Sequence, residues 1–137
     1  MGRILGIDYG DSRIGLAMSD PLKMIASPFK TIRNEGNEKC LHFFQSLLKE
    51  KDMESIVVGL PMGLKGQDTA QTKKVREFAN LLYSLKLPLY LEDERLSTVS
   101  AEKSMIQQNI KTGHNKELVD QRAAAIILQQ FLDKQNR

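Results

Sequence analysis

Only one cysteine, Cys40, stands among the 137 residues. A lone thiol forms no intrachain disulfide, so the fold must be held without covalent staples, and a thiolate-rich zinc site is excluded. Any metal here is held by oxygen or histidine. No apolar run approaches the roughly 20 residues needed to span a bilayer. The N-terminal stretch also lacks an apolar signal core, and Gly2 is not followed by the Ser or Thr of a myristoylation signal. The expected location is the cytoplasm, with no membrane partner. Charge of either sign is not in great excess: 20 Lys and Arg face 17 Asp and Glu, for a formal net charge of +3. That balance permits an anionic partner without identifying one.

What is present suits one globular domain over residues 1–137. Hydrophobic residues make up 41% and charged residues 27%, ordinary values for a soluble protein, and the length is enough to bury a core. The chain is organised around Gly6-Ile7-Asp8-Tyr9-Gly10. The preceding Ile4-Leu5-Gly6-Ile7 is apolar at successive positions, which predicts a strand covered on both faces. Asp8 then ends a central strand, and a buried acid requires a partner or a cation. The alternative is that Asp8, Tyr9 and Gly10 simply make a turn.

Gly10-Asp11-Ser12 reads as a tight turn into a second, antiparallel strand. Ile14, Leu16 and Met18 form its large-residue face; Gly15, Ala17 and Ser19 form its small-residue face. A third strand is expected over residues 25–33, at an edge or with a bulge, because Pro28 lacks an amide donor. The period then lengthens. Leu41, Phe44 and Leu48, with Cys40, Phe43 and Leu47 beside them, predict a helix over 38–51. Residues 56–60 read as a buried strand, followed by a loop rich in glycine and proline over 61–66. The next helix is expected to be capped by Asp68, with Gln71 completing the box and Val75, Phe78, Ala79, Leu82 and Leu85 inward. Leu89-Tyr90-Leu91 makes another strand, ending in Glu92-Asp93-Glu94-Arg95. Strands alternating with helices imply parallel pairing through right-handed crossovers. A further helix runs from Ser97 or Thr98 to Gln108, then a basic loop over 109–116. His114 in that loop and His42 in the first helix lack the neighbours a zinc site needs.

The final helix, over 117–134, carries an irregularity. Its inward stripe is Ala123, Ala124, Ile127, Leu128 and Phe131, and one turn back along that stripe lies Asp120. A carboxylate on a core-facing position marks either a functional site or a favourable contact with the helix dipole. The alanines allow the helix to approach the sheet closely. Asp8 ends the first strand, Asp93 or Glu94 ends a later one, and Asp120 opens the last helix, so all three acids can meet at one end of the sheet. Carboxylates from separate elements suit hard divalent cations such as Mg²⁺ or Mn²⁺, a pair of which can promote phosphodiester cleavage.

Five stretches in this order resemble the YqgF/RuvX family of the ribonuclease H-like superfamily. They are Gly6-Ile7-Asp8-Tyr9-Gly10, Val57-Val58-Gly59-Leu60-Pro61, Val75-Arg76-Glu77-Phe78-Ala79, Asp93-Glu94-Arg95-Leu96-Ser97-Thr98, and Val119-Asp120 followed by Ala123-Ala124. The resemblance covers nearly the whole chain. It implies a five-stranded mixed sheet, three antiparallel strands first and parallel strands after, with helices on both faces. It implies Asp8, Glu94 and Asp120 as the catalytic and metal-binding acids, and so chooses Glu94 where alternation left Asp93 and Glu94 open. It further implies a nuclease of pre-16S rRNA or a Holliday-junction resolvase-like enzyme. Lys65, where the family has an acid, and Gln121-Arg122, where it has smaller residues, depart from the pattern.

The leading expectation is therefore a Mg²⁺- or Mn²⁺-dependent nuclease that processes pre-16S rRNA ends, with Arg95, Lys73, Arg76 and Lys111 contacting phosphates. On charge alone, Lys73, Lys74 and Arg76 read first as a solvated helix face. RNA is expected ahead of DNA, and a monomer or weak homodimer ahead of a larger assembly. Alternatives are a Holliday-junction resolvase, which needs two paired sites, and a non-catalytic nucleic-acid-binding module. The first motif also looks like the phosphate-binding opening of the sugar kinase, actin and Hsp70 superfamily, but those proteins bind ATP between two such domains.

Overall fold

The strands of this chain are β1 (Arg3–Tyr9), β2 (Arg13–Ser19), β3 (Ala26–Arg33), β4 (Met53–Leu60) and β5 (Leu89–Asp93), and its helices are α1 (Asn37–Lys51), α2 (Ala70–Leu82) and α3 (Gly113–Gln135). A computed structural model describes residues 2–96, Val99 and 113–136. The strands form one five-stranded sheet in the order β3-β2-β1-β4-β5. The first three pair antiparallel, while β1, β4 and β5 run parallel. α1 and α2 are the crossovers that make parallel pairing possible.

Alternation along the strands sends their side chains into two cores. Leu5, Ile7, Ile14, Leu16, Ile56 and Val58 meet Phe44 and Leu47 of α1 and Val75, Phe78 and Leu82 of α2. On the opposite face, Ile4, Ala17 and Val57 meet Ala123, Ala124, Ile127, Leu128 and Phe131 of α3. Every residue of the α3 stripe expected from its period is buried. In α1 the buried set is Cys40, Phe44 and Leu47, with Leu41, Phe43 and Leu48 at the margin. The stripe is thus turned slightly from the one centred on Leu41, Phe44 and Leu48. In α2, Leu82 closes the buried stripe; Leu85 lies in the following turn of 3₁₀ helix and is only half-buried.

β3 lies at the edge, and its register against β2 shifts between Leu16 and Ala17, where the partner changes from Lys30 to Pro28. The missing amide of Pro28 is accommodated by that irregularity. Two expectations are corrected. The cap of α2 is Thr69, not Asp68, and the box partner is Thr72, not Gln71. Thr69 Oγ1 accepts from the Thr72 amide at 3.2 Å and Thr72 Oγ1 accepts from the Thr69 amide at 2.9 Å. Asp68 instead pairs with Arg76, while the Thr72 hydroxyl donates to the Pro61 carbonyl and ties the preceding loop to the helix. The last helix begins at Gly113 rather than Glu117, so Gly113 to Lys116 are helical instead of loop. The helix expected from residue 97 or 98 to 108, and the loop positions before Gly113, lie outside the described residues apart from Val99.

Cys40 is buried, and burial pushes its thiol above the ordinary range. A raised thiol leaves little thiolate near neutral pH. Disulfide-exchange reagents should therefore label Cys40 slowly at pH 8 in the native protein and rapidly once denaturant unfolds it. Equal rates in both states would contradict the packing around α1.

Candidate active site

The elements bring three acids to one end of the sheet, on the side covered by α3. Asp8 is buried near the end of β1, with only 5% of its surface exposed. Its partner across β2 is Gly15. The β1 and β4 register runs to Ile7 beside Val58, so the next step places Asp8 alongside Gly59. Gly6 points at α3: a Cβ there would lie 2.8 Å from Leu128 Cβ. By the two-residue period of a strand, Asp8 points to the same side.

Two glycines make the room. A Cβ on Gly15 would lie 2.1 Å from the carbonyl oxygen of Asp120 and 2.4 Å from its carbonyl carbon. α3 therefore rests directly on the β2 backbone at Asp120. A Cβ on Gly59 would lie 2.4 Å from Ile127 Cδ1 and 3.2 Å from Glu94 Oε1. The Glu94 carboxylate thus sits over Gly59, next to Asp8. Glu94 is itself only 5% exposed and opens the 3₁₀ turn (Glu94–Leu96) after β5.

Of the two acids that alternation left open, Glu94 is the inward one. Asp93 faces out and pairs with Arg95, Oδ2 to Nη2 at 2.7 Å. The hydrogen bond from Arg95 holds its carboxyl below the usual carboxylate range, against the opposing effect of partial burial. Glu92, one full period before Glu94, is also buried and pairs with Lys134 Nζ at 2.7 Å, while Gln130 Nε2 donates to the same carboxylate. It is a braced structural acid of the α3 face.

Asp120 stands more than a turn inside α3, so the helix-dipole explanation of its place loses force. Its carboxylate accepts from Arg13 Nε at 2.6 Å. The sequence reading missed Arg13 as a site residue. Its only sequence signal is its place at the start of β2, two residues before Gly15. Among the described residues, no three His, Cys, Asp or Glu side chains form a group ready to hold a metal. The donor chemistry nevertheless fits a hard cation: buried carboxylate oxygens from Asp8 and Glu94, with a third carboxylate, Asp120, anchored at their side.

The proposed phosphate contacts are distributed around this end. Arg95 lies against the β4–α2 loop, with Nη1 3.1 Å from where a Cβ on Gly66 would be. Gly66 has a φ of +82°, which favours glycine and lets the loop turn tightly beside the guanidinium. Arg76 is held by Asp68 through Nε at 2.9 Å and Nη2 at 3.1 Å, and that hydrogen bonding lowers the Asp68 carboxyl. Lys73 is exposed on α2. Its neighbour Lys74 reaches Asp11 of the β1–β2 turn at 3.4 Å. Lys111 lies outside the described residues. So two of the three described cations, Arg95 and Arg76, are already paired with acids and must exchange partners to bind phosphate.

A mixed sheet in this order, with acids at adjoining strand ends beneath a crossing helix, defines a ribonuclease H-like fold. Its likeness to two solved resolvases bears this out. Thermus thermophilus RuvC in complex with a Holliday junction substrate superposes with a TM-score of 0.55 over 99% of this chain and 96% of that one, at 13% identity. Fowlpox virus resolvase, bound to Holliday junction DNA, gives a TM-score of 0.60 over 98% and 99%, at 10% identity. The chain belongs to the RuvX (YqgF) family, whose model, described as "RuvX: Holliday junction resolvase", matches residues 2–134. A relative from Roseiflexus sp. (strain RS-1) is 41% identical over 98% of this chain and 96% of its own length. Another, from Desulforamulus reducens, is 41% identical over 96% of each chain. Both carry the name "Putative pre-16S rRNA nuclease".

Proposed function

We propose that this protein is a divalent-metal-dependent nuclease that cuts phosphodiester bonds in the small-subunit ribosomal RNA precursor, working in the cytoplasm. The observation that carries this reading is the burial of Asp8 and Glu94 side by side at the end of the sheet, with Asp120 pinned above the neighbouring strand. A cation joining two adjacent buried acids offsets the cost of bringing their charges together out of water. The names of the 41%-identical relatives support RNA as the substrate.

Mg²⁺ or Mn²⁺ held by Asp8, Glu94 and Asp120 would supply an acidified water and offset charge on the leaving oxygen. The rest of the task falls to the chain's own residues. Gly15 and Gly59 admit α3 and the Glu94 carboxylate close to Asp8, which sets the separation of the acids. Arg95 stands beside the β4–α2 loop, where its fork, once it exchanges Asp93 for the polymer, can take two oxygens of one phosphate. Arg76 and Lys73 extend positive charge along α2 and position the polymer without reading its sequence.

A second reading, cleavage of a four-way DNA junction, is favoured by the family's description and the likeness to resolvases. It requires two sites acting together, and hence a dimer. Purified protein should be assayed on precursor rRNA, single-stranded RNA and a four-way junction, with Mg²⁺ or Mn²⁺ and with chelator, while its mass is followed by light scattering. Metal-dependent cutting of precursor rRNA by a monomer or weak dimer is the expected outcome. Cutting of the junction alone by a stable dimer would replace the RNA reading, and binding without any cutting would make the protein a non-catalytic module.

A further inference from the structure

We infer that Arg13 is an internal counter-ion of the metal centre: it holds the Asp120 carboxylate while the centre lacks its cation, and turns to a nucleic-acid phosphate when Asp120 turns to the ion. The inference rests on the metal-dependent reading above, and concerns a residue that reading does not use.

Three observations lead to it. The Arg13–Asp120 contact is short, 2.6 Å from Nε to Oδ2, and joins positions 107 residues apart. Arg13 is the more accessible partner: its side chain is 36% exposed and that of Asp120 14%. The backbone beneath it is fixed, because the Asp120 carbonyl lies against Gly15, two residues from Arg13 on the same strand. Asp120 therefore changes partner by rotating its side chain, not by moving the helix. Three acids gather at one end of the sheet, and Arg13 pairs with the most exposed of them. A divalent cation competes for that same carboxylate. An Arg released beside the site still presents a guanidinium fork, whose geometry matches a phosphate as well as a carboxylate.

The test measures binding, not turnover. Mn²⁺ is titrated by calorimetry into nucleic-acid-free wild type, Arg13→Gln, Asp120→Asn, the double variant and Asp8→Asn. Loss of a partly exposed competitor should tighten Mn²⁺ roughly fivefold in Arg13→Gln. In the Asp120→Asn background the same substitution should change affinity little, because the carboxylate being contested has gone. A gain that persists there would reduce Arg13 to a distant repulsive charge and overturn the proposal, as would no gain at all. Binding of a single-stranded RNA oligonucleotide, followed by anisotropy with Ca²⁺ present, tests the second half. Arg13→Gln should lower the salt dependence by about one phosphate contact with Ca²⁺ and leave it unchanged without; equal slopes with Ca²⁺ would refute the handover.

Should Arg13→Gln fail to fold, Arg13→Lys keeps the charge but loses the fork. It should tighten Mn²⁺ by a smaller factor, again only while Asp120 is present, and an unchanged affinity would refute the proposal. If Asp8→Asn binds Mn²⁺ as tightly as wild type, the metal-centre reading itself fails. If Asp8→Asn loses Mn²⁺ and only the Arg13 variants depart from expectation, the counter-ion role fails alone.

Discussion

Asp8→Asn is expected to lower kcat/KM for nucleic-acid cleavage by about a thousandfold or more, while the protein folds as well as wild type. The substitution keeps the shape of the side chain and removes its charge. On the proposed reading, what is lost is one of two buried oxygen donors to a cation that would contribute several kcal/mol to the transition state. At about 1.4 kcal/mol per factor of ten, that corresponds to roughly three orders of magnitude. Folding should not suffer, because Asn keeps the size of the Asp8 side chain and one of its oxygen acceptors in the same buried place. A melting temperature close to that of wild type, with activity gone, is the expected pair of results. Cleavage at wild-type speed would remove Asp8 from the chemistry, and a collapsed melting temperature would make it a structural acid.

Gly15→Ala should be the most damaging Gly→Ala change among the described residues. The added carbon would meet the carbonyl of Asp120, an obstacle made of backbone that cannot rotate aside. Overpacking of this kind costs about 3 kcal/mol, which for a domain of this size lowers the melting temperature by roughly 10 °C. The relief available is for α3 to lift at its Asp120 end, which carries the third carboxylate away from the other two. Displacement of a catalytic group by about 1 Å can cost a hundredfold in rate. Activity should therefore fall further than the loss of folded protein explains, at a temperature where the variant is still folded. A variant that melts within about 2 °C of wild type would show that the helix does not rest on β2 as described.

Much of this is legible in the order of residues alone. The run of successive apolar residues Ile4 to Ile7 placed Asp8 at a strand end, and the alanines of the last helix foretold its close approach to the sheet. The helical period put Asp120 on the buried stripe of α3. Each is a local regularity, and local regularities survive folding when a core enforces them. Alternation left Asp93 and Glu94 open, and only the family resemblance chose between them; in the structure Tyr90 packs its ring 5.0 Å from that of Phe131 on α3, and Glu94, not Asp93, is the buried acid.

What stayed hidden depends on meetings between distant positions or on choices between neighbours. Arg13 and Asp120 lie on different elements, and no spacing in the sequence announces their contact. Asp68 and Thr69 are adjacent and both are good caps; Arg76 decided between them by claiming Asp68. The start of α3 was placed too late because Lys111, Gly113 and His114 look like a loop, whereas the helix already runs from Gly113. The pairing of Arg95 with Asp93 and of Arg76 with Asp68 was equally invisible, although it determines how those cations meet a phosphate.

The sheet has a core on each face, and the acids belong to only one of them. Among the described residues the core beneath α1 and α2 is the larger of the two, whereas the one beneath α3 joins Ala17, Ala123 and Ala124 to a smaller set of aliphatic residues and Phe131. Proteins open in such sub-global units, each with its own free energy. The proposed active site is therefore as durable as the smaller of the two cores, and loosening of α3 alone would disband it while the rest of the sheet stayed intact.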